Sequence, residues 1–136
     1  MSSLAVAPKE ARPPWILPVI IISQFAGTSL WFAGNAILTD LQNAWGISSD
    51  SVSTITSAVQ LGFIFGTFIF GFFTIADKYS PRILFVLSSL AGAVCNFSIY
   101  LFAYEFTELL VLRFLTGVCL AGIYPVGMKI ASGWYR

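Results

Sequence analysis

Apolar residues do not alternate with polar ones along this chain; they run together in four long stretches, with most of the charged residues between them. A helix needs about 20 mainly apolar residues to cross a bilayer. Stretches at about 15–38, 51–75, 81–104 and 108–134 meet that length, so the pattern predicts an all-α membrane protein of four transmembrane helices. Residues 1–14 carry Lys9, Glu10, Arg12 and three prolines, and are expected to form a short irregular cytoplasmic tail. The first apolar run exceeds the roughly 7–15 residues of a signal-peptide core, which argues for a retained span.

The polar punctuation supplies the helix ends. Asp40, Gly46, Ser48, Ser49 and Asp50 mark the first connection, with Ser49 or Asp50 placed to cap the second helix. The second connection reads Ala76-Asp77-Lys78-Tyr79-Ser80-Pro81-Arg82; Ser80 is a candidate cap, and Pro81 suits a first helical position, where no amide hydrogen is needed. In the third, Thr107 is the expected cap and Glu108 lies near the positive helix end.

Charge then sets the orientation. Short loops rich in Lys and Arg stay in the cytoplasm. Lys9, Arg12, Lys78, Arg82, Lys129 and Arg136 all fall on one side of the predicted spans, whereas the opposite loops hold Asp40, Asp50, Glu105 and Glu108. Both termini are therefore expected in the cytoplasm of a cell that carries this chain in its inner or plasma membrane. Trp15, Trp134 and Tyr135 on the one side, and Trp45 on the other, sit where interfacial anchors belong.

Composition narrows the function. Of 136 residues 57% are hydrophobic, 10% are charged and none is histidine. No basic face exists to neutralise phosphates, so a nucleic-acid partner is excluded. The connections are too short to build a catalytic pocket, and no phosphate loop, nucleophile elbow or metal-binding pair is visible, so neither an enzyme nor a cofactor is expected. Cys95 and Cys119 fall inside apolar stretches and read as small packed residues.

What remains is polar chemistry inside the spans. Arg113 lies about a turn and a half into the fourth helix, where a guanidinium costs about 2.5–3.5 kcal/mol at the span centre and less near an end. It either snorkels or stands as a fixed positive charge facing a cavity, and the second reading is preferred because intramembrane charges mark function. Lys129 sits near the end of its span and is expected to snorkel. Gln24, Thr28, Trp31 and Asn35 step by four, three and four residues and so share one helical face, which either packs on other helices or lines a wet cavity. Ser53, Ser57 and Gln60 repeat that pattern weakly in the second span, beside a ridge of Ala58, Gly62 and Gly66 that lets another helix come close.

From about Trp15 onward the arrangement resembles the opening of a major facilitator superfamily transporter. Members carry between their second and third helices a loop with Gly, then Asp and a basic residue, a further Gly and more basic residues. Ala76, Asp77, Lys78, Tyr79 and Arg82 match it, while Phe73, Ser80 and Pro81 replace Gly, Gly and a basic residue. Arg113, Gly117 and Ala121 resemble the family's fourth-helix motif of Arg, Gly and small residues. The resemblance implies that Asp77, Lys78 and Arg82 form a gating loop and that Arg113 serves proton coupling or substrate binding; Gln24 and Asn35, on the polar stripe of the first helix, are the further candidates for contact with a polar or amphipathic solute. Gly117 and Ala121 would join Ala58, Gly62 and Gly66 in helix packing.

Because the family has two six-helix halves with the solute site between them, four spans imply an amino-terminal fragment, inactive alone, of a secondary transporter moving a small solute with protons. Two rival readings are a small four-helix exporter that dimerises, which lacks the expected acid in its first helix, and a non-transport membrane subunit packing through its small residues.

Overall fold

The structure, a computed structural model, describes residues 13–36, 38–46 and 48–135, and within these the side chains of residues 35, 38, 39, 41 and 49 are left undescribed. Lys9, Arg12, Arg136 and the Asn35 and Ser49 side chains thus lie outside the description. Among the described residues all regular structure is helical: α1 (Ile16–Ala36), α2 (Leu38–Trp45), α3 (Ser49–Phe72), α4 (Ile75–Lys78), α5 (Pro81–Phe102), α6 (Phe106–Ala121) and α7 (Tyr124–Trp134). At 1.5 Å per residue, α1, α3 and α5 are about 32, 36 and 33 Å long, enough to cross a hydrocarbon core of about 30 Å. Four segments qualify as membrane spans by length and apolarity, and their large apolar side chains, Phe25, Leu61, Ile64, Phe68 and Phe97 among them, point outward.

The ends differ from the sequence expectation in three places. The polar connection after the first span is largely the short helix α2, with α1 described as far as Ala36 and residue 37 outside the description. Ser48, not Ser49 or Asp50, occupies the cap position of α3, its hydroxyl 3.2 Å from that of Ser51. Thr107 lies inside α6: the cap position belongs to Glu105, and the Glu108 carboxylate accepts from the Tyr104 and Glu105 amides at 2.8 and 3.2 Å. A carboxylate there also faces the positive end of the helix dipole.

The fourth span is two helices. At about 24 Å, α6 is too short to cross alone and must be completed by α7. Pro125 causes the break, because it has no N–H to give to the Ala121 carbonyl one turn back. The turn tightens instead: Gly122 N–H donates to Cys119 O and Ile123 N–H to Leu120 O, both at 3.0 Å, before Gly127 N–H resumes the helical pattern on Ile123 O at 2.8 Å.

This broken span is the centre of the bundle. Half of its most apolar window is buried against other spans, against 11% for the first and third spans. Two apolar clusters hold it, Ile55, Ile99 and Leu109 toward the acidic end, and Val59, Leu120 and Ile123 near the break. The most extensive pairing is α3 with α6. Lipid tails are as apolar as the side chains they replace, so helices associate in membranes mainly through close packing. Here glycine provides it. A Cβ on Gly62 would overlap the Phe114 carbonyl, one on Gly117 would sit 2.7 Å from Phe63 N, and one on Gly66 would sit 2.8 Å from both Val118 O and Ala121 Cβ. Ala58 is half-buried on the same helix. Ser53, Ser57 and Gln60 are exposed and turn away from this contact.

Gly62→Leu should therefore destabilise the bundle by about 3 kcal/mol or more, since the obstacle is backbone that has no rotamer to yield. Gly133→Ala, where a Cβ meets nothing within 4 Å, should stabilise by about 0.5–1 kcal/mol. Thermal unfolding of both variants in detergent micelles, followed by circular dichroism, checks the pair of outcomes.

Candidate functional site

The close approach of α3 to α6 puts Arg113, one turn before Gly117, inside the bundle. The side chain is 0% exposed. It does not snorkel, and it does not face a cavity as the sequence suggested: its guanidinium lies against α1, where Nη2 donates to the Trp31 carbonyl at 2.9 Å and Nη1 and Nε are sealed without a hydrogen-bond partner. Gly34 makes the space, because a Cβ there would lie 2.6 Å from Nε and closer still to Cζ and Nη1. No carboxylate pairs with Arg113 among the described residues. A full positive charge thus stands in the span with one carbonyl contact, where a buried charge ordinarily needs a counter-ion.

Gln24 enters from the same helix. Its Nε2 donates to the Tyr124 carbonyl at 3.3 Å, beside the Pro125 break, while Oε1 is sealed and unpartnered. Gly127 admits it: a Cβ on Gly127 would lie 2.7 Å from the Gln24 Cδ. Thr28 donates its hydroxyl back to Gln24 O at 2.7 Å, and Trp31 meets Phe63 edge to face with centroids 5.5 Å apart. Gln24, Thr28 and Trp31 of the stripe read from the sequence therefore face the broken fourth span, and the Asn35 side chain lies outside the described residues. Gly34, Pro125 and Gly127 were not singled out from the sequence. The Pro125 signal was available, an interior proline in an apolar run, and so was the spacing of Tyr124 to Gly127 around it.

At the basic end, Asp77, Lys78 and Arg82 separate. Asp77 pairs with Lys129 of α7, whose Nζ also donates to the Ala76 carbonyl at 2.6 Å. Lys129 is thus a clasp rather than a snorkelling lysine, and nothing in its spacing from Asp77 along the chain announced the pairing. Arg82 has its Cζ 6.0 Å from the centre of the Trp134 ring, at the outer limit of a cation–π contact. Lys78 is exposed and makes no ion pair among the described residues. Where the loop pattern expects glycine at Phe73, the backbone turns left-handed one residue later, at Thr74 with φ 50°. For a β-branched residue that conformation costs on the order of 1–3 kcal/mol.

Comparison with known proteins decides the family. The model of the Major Facilitator Superfamily matches residues 19–136. The chain belongs to the major facilitator superfamily. It is similar to organic cation/carnitine transporter 7 of Arabidopsis thaliana, with 32% identity over 106 residues, 78% of this chain and 19% of the relative. It is also similar to the putative niacin/nicotinamide transporter NiaP of Bacillus subtilis (strain 168), with 28% identity over 96 residues, 71% of this chain and 23% of the relative. The chain thus spans about a fifth of the length of these curated relatives. No solved structure matches it at comparable significance. Membership makes this a multi-pass membrane protein of a transporter family, in keeping with its four apolar spans.

The clasp is testable by charge. The Lys129 and Asp77 side chains are 40% and 72% exposed, so solvent screening limits their coupling to about 1 kcal/mol or less. In a double-mutant cycle, Lys129→Ala and Asp77→Asn should each lower stability, the double variant should be no worse than Lys129→Ala, and the coupling should shrink as salt is raised from 0.05 to about 0.5 M.

Proposed function

We propose that this chain is the front part of the amino-terminal half of a secondary transporter that moves a small organic solute together with protons. The observation that carries the reading is Arg113: a charge held at 0% exposure with two idle N–H donors is costly unless it is used. An arginine in that condition stabilises an acid or a bound anion when one is brought to it, and raises its own cost when that partner leaves. This is the physical requirement for coupling a proton or a solute to a change of state. The relatives' names support a small organic solute, one being an organic cation/carnitine transporter and the other a putative niacin/nicotinamide transporter. Gln24 and Asn35 belong to the same face of α1 and are assigned to the solute path.

The basic end is assigned to the cytoplasm, because the cations gather there and the opposite loops hold Asp40, Asp50, Glu105 and Glu108. In this reading both ends of the chain lie in the cytoplasm and the membrane is the inner or plasma membrane. Asp77, Lys78 and Arg82 act as the gating loop. Asp77 has a partner already in Lys129, so opening trades one ion pair for another, which keeps the barrier low. Lys78 and Arg82 remain available for the second half of the transporter.

Two experiments test this. In the intact transporter, Arg113→Gln should reduce solute flux in proteoliposomes more than tenfold while the amount inserted in the membrane stays unchanged; undiminished flux would sink its role. For orientation, single cysteines placed at Tyr79 and Asn43 should react with an impermeant maleimide from opposite sides, Tyr79 only after the membrane is opened.

A further inference from the structure

Between α1, α3 and the broken fourth span lies a recess of about 360 Å³ lined by Thr28, Trp31, Phe32, Phe63, Leu120 and Tyr124. Four of the six are aromatic, from three different elements, and α5 contributes none. The volume falls at the lower end of the ~300–1,000 Å³ range of small-molecule clefts, suited to a single ring with a small substituent. Trp31 and Phe63 are fixed edge to face, at 5.5 Å and 73°. Aromatic pairs of this kind accept a third ring at a comparable spacing with further gain. The recess also opens beside the Gln24 contact with the Tyr124 carbonyl, at the point where the fourth span is broken.

Charge selects among the solutes an aromatic recess can hold. Aromatic cages take quaternary ammonium ions when the surroundings are neutral or acidic. Here no carboxylate lines the recess, and the acids of the described residues lie at the helix ends, in or beside the connections. The buried charge nearest to the Trp31 backbone is positive, the Arg113 guanidinium bonded to its carbonyl. In a medium far less polarisable than water, like charges repel well beyond the reach of a cation–π contact. Of the hydrogen-bonding groups of the wall, the Trp31 indole N–H can only donate, the Tyr124 hydroxyl can donate or accept, and the Thr28 hydroxyl, its proton committed to the Gln24 carbonyl, can only accept. A positive field with no lining carboxylate, together with the donors of Trp31 and Tyr124, suits a solute that presents a negative charge or an acceptor.

We propose that the recess bounded by Trp31, Phe32, Phe63 and Tyr124 is the ring-binding subsite of the solute path, and that it takes a planar aromatic solute that is anionic or neutral, not a cation. The assignment rests on the transporter reading and names the substrate class of that path. Phe63 supplies the ring face from α3 and Trp31 the one from α1, so the subsite forms only while α1 and α3 keep their present spacing around α6.

The test is equilibrium binding to the intact protein in lipid nanodiscs, with radiolabelled benzoate as the probe and benzyl alcohol and benzyltrimethylammonium as competitors. Benzoate should bind saturably, benzyl alcohol should compete more weakly, and benzyltrimethylammonium should compete at least tenfold more weakly than benzyl alcohol. Phe63→Leu, which keeps most of the volume and removes the ring, should weaken benzoate at least fivefold with an unchanged chromatographic profile. Arg113→Gln should abolish the preference for benzoate over benzyl alcohol while leaving benzyl alcohol affinity within twofold. Stronger competition by benzyltrimethylammonium, unchanged affinity in Phe63→Leu, or no saturable binding of benzoate would each overturn the assignment. Flux separates this failure from that of the transporter reading: solute flux that survives Phe63→Leu unchanged sinks the subsite alone, whereas a protein that moves no solute sinks both.

Discussion

The contact on which the bundle depends is backbone against backbone, α3 against α6, made possible by the missing side chains of Gly62, Gly66 and Gly117. In water, burial of apolar surface would draw these helices together from a distance; in hydrocarbon that force is absent, and only close contact distinguishes a neighbouring helix from lipid. The three glycines convert a weak preference into a defined register, because each faces main-chain atoms of the other helix. Everything placed on α6 inherits that register. Arg113 precedes Gly117 by one turn, so fixing the glycine against Val59 and Phe63 fixes the depth and direction at which the guanidinium emerges toward α1. The Gly34 notch completes the arrangement from the other side.

The second constraint is Pro125. A membrane span with a missing backbone hydrogen bond must satisfy the freed groups locally, because no water stands ready to do so. The chain answers for its amides with two tightened turns, Gly122 and Ile123 donating to Cys119 O and Leu120 O, and the Gln24 amide adds a donor at the Tyr124 carbonyl beside the break. Breaking the span also redirects α7, which carries Lys129 to Asp77 and Trp134 to Arg82. One proline thus links the polar face of α1 in the membrane to the charge contacts at the basic end. The polar residues of the first span and the loop after the second are parts of one mechanical unit, although nearly sixty positions separate Gln24 from Arg82.

The sequence announced the number of spans, their approximate limits and the family, since these follow from apolar run length and from local motifs. It also announced the close-packing ridge, because a four-residue step of small side chains has few other uses inside a membrane. What it did not announce is which partner each polar group takes. Lys129 read as a snorkelling residue because nothing local betrays Asp77, 52 positions away. Arg113 read as facing a cavity because its burial is set by Gly34, on a helix 79 positions earlier. Both errors have the same form: the element and the depth were legible, the azimuth was not. Thr107 and Ser49 were misplaced as caps for a smaller reason, since a cap is decided by which residue leaves helical dihedrals, and neighbouring polar residues compete for that place.

The Arg113 geometry bears on how such a bundle changes state. Its exposure is already zero within these four spans, so a group on another helix, or a solute, reaches Nε and Nη1 only if the side chain or one of α1 and α6 moves. The present arrangement therefore stores an unfavourable term, two donors without acceptors, each costing about 1–3 kcal/mol or more beside a charge. Relief of that term favours any movement that brings an acceptor to the guanidinium. The opposing term is the interlocked glycine contact, which resists separation of α3 from α6 but does not clamp α1, whose contacts with α6 are far fewer. Motion is thus directed to the α1 side, where Gly34, Trp31 and Gln24 all lie. A shift of α1 there would alter the Arg113 contact, the aromatic recess and the Gln24 bond together, because all three are made by one face of that helix.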